Sequence, residues 1–304
     1  MSTTFHTPIL FLIFNRPDTT EKVFEIIRKI KPQKLFVSAD GPRPNKSGEK
    51  EKCDQTRKII QRVDWDCEVH TNFSEENLGC KKGVVKGINW FFENVEEGII
   101  IEDDCILDES FFTFVQELLE RYRNDERIMH IGAANFQDGK RRGDASYYFS
   151  KFCHVWGWAT WRRAWKHYDV AIKSLDEFKS KNKIANILPD EKMQKHWLKL
   201  FQTVYDNALD TWDFQWVYTV WEQNGMSIIP NVNLVSNIGF DEEATHTRDS
   251  DHVLAENKSG SVSNLIHPEI IKTNEEADKY TFYHKIYQSK WKKIKSRFVR
   301  ILKK

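Results

Sequence analysis

Bare apolar runs alternate with amphipathic ones through the first half of this chain, and no other feature limits its fold so strongly. "ILFLIF" (Ile9 to Phe14) has the length and composition of a strand buried on both faces. "DTTEKVFEIIRKI" follows, with Val23, Phe24, Ile27 and Ile30 on one helical stripe that Asp18 can cap. "KLFVSAD" (Lys34 to Asp40) predicts a second strand, broken by Gly41-Pro42; a helix near Ser47 to Val63 then leads to a third strand at "CEVHT". The loop "SEENLGC" opens a helix from about Cys80 to Asn94. "GIIIED" reads as strand four, "ESFFTFVQELLERY" as another helix and "RIMHIGA" as strand five. Alternation of this kind predicts an α/β fold, a mainly parallel central sheet with helices on both faces. Ligands of such sheets collect at the carboxyl ends of the strands. Asn15, Arg16, Asp40 and Glu102 to Asp104 all fall at those ends.

After Gly143 the pattern changes. "HVWGWATWRRAW" is aromatic and ambiguous in period, and the spacing of Trp158, Trp161 and Trp165 is that of a buried helical face. Helices are expected at about Leu175 to Ala185, Glu191 to Asn207 and over "WDFQWVYTVWEQNG", then a strand-like "SIIPNVNLVSNIG" and a polar loop from Phe240 to Asn264. This divides the chain into a ligand-binding half (1–143), a second half with a flexible loop (144–265) and a basic tail (266–304). No repeat or low-complexity linker separates the halves, so they are expected to share one body.

Formal net charge is +1, which excludes a global polyanion binder, but from Lys285 onward there are nine Lys or Arg and no acid. In that tail Tyr287, Trp291, Ile294, Phe298 and Ile301 recur at steps of four and three, a basic amphipathic helix suited to an anionic membrane surface or to docking on the body. Nothing else supports nucleic acid as a partner. Five scattered cysteines without metal-ligand spacing suggest free thiols in a reducing compartment. Pro8 to Phe14 is too short to span a membrane and lacks a basic leader, so a cytoplasmic protein is expected, on the membrane's inner face if the tail binds it. Eleven tryptophans imply either a Trp-rich core or a surface that stacks on sugars.

The chemistry centres on "GIIIEDDCILDESFF" (98–112), where three acids follow a buried run. Mutual repulsion makes the triplet awkward unless something positive sits between the side chains. Adjacent carboxylates at a strand end build a hard oxygen site for Mn2+ or Mg2+, which take their remaining ligands from substrate phosphates and water. The simpler alternative is a solvated turn with Asp108 capping the next helix.

The acidic strand end near position 40, the "ENLG" loop and the apolar-Glu-Asp-Asp strand end together resemble the GT-A glycosyltransferases, in particular the inverting N-acetylglucosaminyltransferase I type. The order continues with "GAANFQDGK" (Gly132 to Lys140), Trp-Gly-Trp (Trp156 to Trp158) and "TWDFQW" (Thr211 to Trp216), and the Trp-rich segment is also similar to bacterial surface-polysaccharide sugar transferases. The resemblance covers roughly residues 7 to 250. It implies a metal ligand at Asp104, a ribose contact at Asp103 and a partner for the transferred sugar's hydroxyls at Glu102. Asp40 would accept the N3–H of uracil, and Arg16 would contact the base or diphosphate. Asp213 would be the base that deprotonates the acceptor, with Trp212 walling the donor sugar. His246, in "DEEATHT", would reach the metal or diphosphate from a lid loop. The helix start "CKKGVVKG" departs from the family's aromatic start, so a donor role for Lys82 rests on charge alone. One of Trp156 and Trp158 is expected to reach the acceptor side, while His154 is expected to be structural.

The expected activity is therefore a metal-dependent, inverting glycosyltransferase acting from a UDP-sugar, such as UDP-N-acetylglucosamine or a relative, on a glycan or lipid-linked acceptor. A sugar-nucleotide nucleotidyltransferase shares the sheet but needs a Gly-rich loop after strand one, and "FNRPDTT" has no glycine. A non-catalytic carbohydrate-binding protein would exploit the tryptophans but has no use for acids at several strand ends.

Overall fold

The computed structural model describes residues 5–239 and 259–287. The first half runs β1 (Ile9–Ile13), α1 (Pro17–Ile30), β2 (Lys34–Ala39), α2 (Glu49–Lys58), β3 (Glu68–Phe73), α3 (Gly79–Asn94), β4 (Glu97–Glu102), β5 (Cys105–Leu107), α4 (Glu109–Arg121) and β6 (Ile128–Gly132). The second half adds β7 (Tyr147–Ser150), β8 (Trp158–Trp161), α5 (Arg162–Trp165), α6 (Leu175–Ser180), α7 (Lys183–Ile187), α8 (Glu191–Tyr205), α9 (Asp213–Glu222), β9 (Met226–Pro230), β10 (Val235–Asn237) and α10 (Glu275–Thr281).

Local chemistry explains the boundaries. Pro17 opens α1 where its missing N–H goes unmissed, and Lys31 ends the helix in the left-handed region at φ 54°. Asp108 caps α4 by accepting from the Ser110 N–H, as expected. Asn182, at φ 47°, splits the helix expected from Leu175 to Ala185 into α6 and α7.

Eight strands form one sheet in the order β3-β2-β1-β4-β8-β6-β9-β7. The β1 to β4 group pairs in parallel, β8 runs antiparallel between β4 and β6, β9 is parallel to β6, and β7 is an antiparallel edge. The sheet is therefore mixed, mainly parallel, and continuous across residue 143. Period-two alternation gives it two cores: in β1, Ile9, Phe11 and Ile13 join α1 and α4 on one face, while Leu10 and Leu12 join α3 and α5 to α9 on the other.

The tryptophans are mostly core. Trp158, Trp161, Trp216 and Trp221 are fully buried. The helical spacing of Trp158 and Trp161 misleads, because both lie in β8 and point to opposite faces of the sheet, one into each core. The described C-terminal residues cover the β7 edge. Asn274 N donates to Phe149 O at 2.8 Å, and Asp278 accepts from Ser150 Oγ at 2.5 Å and Lys151 N at 3.0 Å. Covering an edge in this way removes an open template for strand pairing. Tyr287 packs against Phe282 and His196. Trp291, Ile294, Phe298 and Ile301 of the amphipathic tail, and His246 with residues 240–258 of its loop, lie outside the described residues. Among the described residues no helix is long and apolar enough to cross a membrane.

Candidate active site

Glu102 ends β4, and Asp103 and Asp104 form the turn into β5. Because β1 pairs with β4 in parallel, with Leu12 opposite Glu102, the residues just after β1 arrive beside this turn. Arg16 is the positive group between the acids. Its Nη2 donates to Asp103 Oδ1 and, at 3.0 Å, to Asp104 Oδ2. Burial works against the guanidinium's charge, but the two carboxylates outweigh it and raise its pKa. Asp104 Oδ1 also lies 3.3 Å from Asn237 Nδ2, the donor, at the end of β10. Gly239 packs so closely here that a Cβ would fall 2.1 Å from Asp104 Oδ2. The sequence expectation of a metal between these acids therefore meets a cationic side chain already in that place.

One guanidinium does not balance three acids. Burial, then the charges of Asp104 and Asp103, push the Glu102 carboxyl well above the usual range, with Arg16 only partly opposing. Asp103 is raised by burial in spite of Arg16, and its Oδ2 is buried with no hydrogen-bond partner among the described residues. An orphaned buried oxygen beside two further carboxylates suits a hard divalent cation, which would share Asp103 and Asp104 with the Arg16 guanidinium. Among the described residues, however, no three His, Cys, Asp or Glu side chains converge as a cage. Such an ion would need phosphate and water to complete its shell, which is how Mg2+ is ordinarily held.

Next to the triplet opens a cleft of about 690 Å3. Its lining comes from the β1 end (Asn15, Arg16), the β2 end (Asp40), the 43–52 segment, the start of α3, Glu102, Asp103 and Asp210. Asp40 lines the cleft but is already engaged. Its Oδ1 accepts from the N–H groups of Gly41 (2.9 Å) and Leu78 (2.8 Å), and its Oδ2 from Gly79 N (3.0 Å) and Asn77 Nδ2 (3.0 Å). Four donors fill a carboxylate, so Asp40 braces the "ENLG" loop and holds no spare acceptor for a uracil N3–H. Lys82 is exposed on α3 and does not line the cleft. Besides Arg16, the cations that do are Arg43 and Lys46, between the Gly41-Pro42 break and the helix expected near Ser47, and Lys52 within that helix, none of them singled out from sequence.

The second half approaches through α9. Asp213 opens that helix, and its Oδ1 accepts from Thr211 Oγ1 and, at 2.9 Å, from Phe214 N. Its negative charge reaches Glu102, contributing to the raised pKa there. Cys80, at the start of α3, is pushed up to about 12 by burial and then by Glu102, Asp210, Asp213 and Asp40. Asp210, Asp213 at the start of α9 and Glu102 at the β4 end thus all bear on the same thiol, which lines the cleft.

The expected aromatic wall is corrected in two places. Trp212 is only 3% exposed and stacks on Trp158, ring centroids 5.8 Å apart; Trp158 is 0% exposed. Both are packing residues that cannot touch a sugar without the core opening. Trp156 is half-exposed, edge-on to Phe136 at 5.5 Å, and remains the accessible one. His154 packs edge-on against the same Phe136 at 4.6 Å, and burial lowers its pKa to about 4, in keeping with the structural role expected of it. His130, not singled out from sequence, is buried and neutral, its pKa lowered to about 3 by burial. Its Nδ1 accepts from Trp216 Nε1 at 3.1 Å, leaving Nε2–H to donate to His154 O at 3.2 Å, and so it ties α9 to β6.

No protein-family profile matches the chain, and no curated protein does. Solved structures that superpose on it include residues 1–349 of TarS from S. aureus, at 10% identity over 75% of this chain and 59% of that one, with TM-score 0.42. A UDP-glucose pyrophosphorylase complexed with UDP-glucose matches at 8% identity over 74% and 90%, with TM-score 0.39. A 4-diphosphocytidyl-2C-methyl-D-erythritol synthase from Anaerococcus prevotii matches at 7% over 73% and 88%, with TM-score 0.38. Scores this low carry no argument about function.

Proposed function

We propose that this chain is a GT-A type glycosyltransferase that takes a UDP-sugar, UDP-N-acetylglucosamine or a relative, and transfers its sugar with inversion to a hydroxyl of a glycan or lipid-linked acceptor in surface polysaccharide synthesis. The observation that carries the reading is the cleft of about 690 Å3 that Asp40, Glu102 and Asp103, at the ends of β2 and β4, line together with Asp210, three residues before Asp213. Inverting transfer needs a carboxylate on the acceptor side of the anomeric carbon and hydrogen-bond acceptors for the donor sugar on the other. Asp213 supplies the first, set by Thr211 and the α9 N-terminus, and Glu102 the second. Arg16 orients Asp103 and Asp104 toward the ribose and diphosphate. A Mn2+ or Mg2+ ion, when bound through Asp104 and the substrate's phosphates, would supply neutralising charge to the leaving diphosphate.

Two competing readings fare worse on specific observations. Only three residues, Phe14 to Arg16, join β1 to α1, and Arg16 is engaged with Asp103 and Asp104. A turn that short cannot wrap a triphosphate as a nucleotidyltransferase requires. Burial of Trp158, Trp161, Trp212 and Trp216 removes the stacking surface that a carbohydrate-binding protein would use.

The test is a panel of UDP-, GDP- and CMP-sugars incubated with Mn2+ and assayed for nucleotide release. Release from a UDP-sugar, abolished in Asp213→Asn, is expected; release from none, or undiminished release in Asp213→Asn, overturns the assignment of donor or base respectively.

A further inference from the structure

Glu49 is a buried carboxylate with only 6% of its side chain exposed, yet it lies next to open solvent. Burying such a charge is costly unless partners compensate it. Its partners come from two separate loops. Asn15 Nδ2, after β1, donates to Oε1 at 3.0 Å; Arg43, after β2, donates through its backbone N at 2.6 Å, its Nε at 3.0 Å and its Nη2. The Arg43 hydrogen bond dominates in lowering the Glu49 pKa. One acid thus stitches together the two strand ends that flank the cleft mouth and fixes Arg43 at the cleft wall, 5.6 Å from the Phe14 ring centroid. Even so, 47% of the Arg43 side chain stays exposed. Lys46 and Lys52 line the same cleft from the same segment. All three lining cations other than Arg16 therefore come from 43–52, where Glu49 is the lining acid and is taken up by Arg43, whereas Asp40, Glu102, Asp103 and Asp210 repel anions.

We propose that Arg43, held by Glu49 as its positioning residue, binds the nucleotide's phosphates together with Lys46 and Lys52, and does so independently of any cation on Asp104. This rests on the nucleotide-sugar reading and adds to it that donor affinity has a metal-independent part. An electrostatic hold of this kind scales with ligand charge and weakens with salt, whereas a structural role would weaken all ligands alike.

Calorimetric titration of the full chain in EDTA with uridine, UMP and UDP tests it, with GDP and CDP in parallel. Wild-type protein is expected to bind UDP without metal, with affinity rising from uridine to UDP and falling with added salt. Arg43→Gln and Glu49→Gln should each weaken UDP roughly tenfold, the scale of one lost charge-assisted hydrogen bond, and leave uridine nearly unchanged. Lys46→Gln and Lys52→Gln, both at exposed positions, should give smaller losses of the same phosphate-selective kind and serve if Glu49→Gln fails to fold. Binding of UDP only when Mn2+ is present, or equal losses for uridine and UDP, overturns the inference while sparing the nucleotide-sugar reading. Failure of every nucleotide to bind with and without Mn2+ overturns both.

Discussion

Replacing Arg16 with Met removes the guanidinium while keeping much of its bulk. In the folded chain this leaves Asp103, 5% exposed at its side chain, and Asp104, 14% exposed, without their shared cation. Breaking a buried pair by removing one partner costs about 3–5 kcal/mol, because the remaining charge stays desolvated. At about 2 °C per kcal/mol for a chain of this size, Tm should fall by about 6–10 °C near pH 8. The pH dependence separates charge from packing. Burial already raises the Asp103 pKa, with Arg16 opposing, so losing Arg16 raises it further. An acid whose folded pKa lies above its unfolded value binds its proton more tightly when folded. Its stability is full below the unfolded pKa and is lost as pH climbs through the folded one. The Arg16→Met deficit should therefore be largest at pH 8 and close toward pH 5, and adding Asp103→Asn should recover much of it at pH 8. Thermal melts of the three proteins from pH 5 to 8 at constant ionic strength are the assay. A deficit of the same size at every pH would refute the electrostatic account and reduce Arg16 to a packing residue.

Asp213→Asn should lower kcat by roughly 10²–10⁴ while leaving UDP affinity near wild type, as steady-state rates and titration will show. Trp158→Ala should cost about 3–5 kcal/mol in chemical denaturation, whereas Trp156→Ala should spare stability and raise the acceptor KM; the reverse pattern would put Trp158 in the site after all. Asp40→Asn leaves at least one backbone N–H of the 77–79 loop without an acceptor, so Tm should drop with no ligand present, and a variant that melts normally but fails to bind uridine would restore the uracil role. Glu102→Gln should melt higher than wild type at pH 8, where the raised carboxyl is a net cost, with the gain vanishing below pH 5, while sugar transfer is lost; melts at both pH values and a transfer assay decide it.

The sheet was legible because each of its first four strands is buried on both faces or bounded by clear breakers, so "ILFLIF" and "GIIIED" had no polar alternation to confuse them. The strand β8 was not, since Trp158, Trp161 and Trp165 mimic a helical stripe although the first two lie in a strand sandwiched between two cores. Asp40 and Lys82 show a second limit. Sequence gives a carboxylate or an ammonium and a strand end or a helix start, but not whether its hydrogen-bonding capacity is already filled or which face it takes. Glu49 was hidden for the opposite reason. Inside "SGEKEKCDQ" it looks like any solvated helix acid, and only the folded loops of Asn15 and Arg43 converging on it reveal a buried hub.

The triplet that made the sequence puzzling stays puzzling in the fold in a useful way. Arg16 resolves the repulsion between Asp103 and Asp104 but leaves Glu102 raised and Asp103 Oδ2 without a partner, so the turn is neutralised only in part. A purely structural turn gains nothing from such a residue of unbalanced charge, since solvated polar residues would close β4 into β5 at lower cost. The imbalance is also directional. Lys46 and Lys52 line the cleft from 43–52, where Arg43 is paired with Glu49, while Asp40, Glu102, Asp103 and Asp210 line it elsewhere, so on the proposed reading a ligand with phosphates at one end and a neutral sugar at the other would be oriented by the field. On that reading the donor sugar would be presented toward the side from which Asp213 is proposed to act, and inversion would follow from which half of the chain supplies the base.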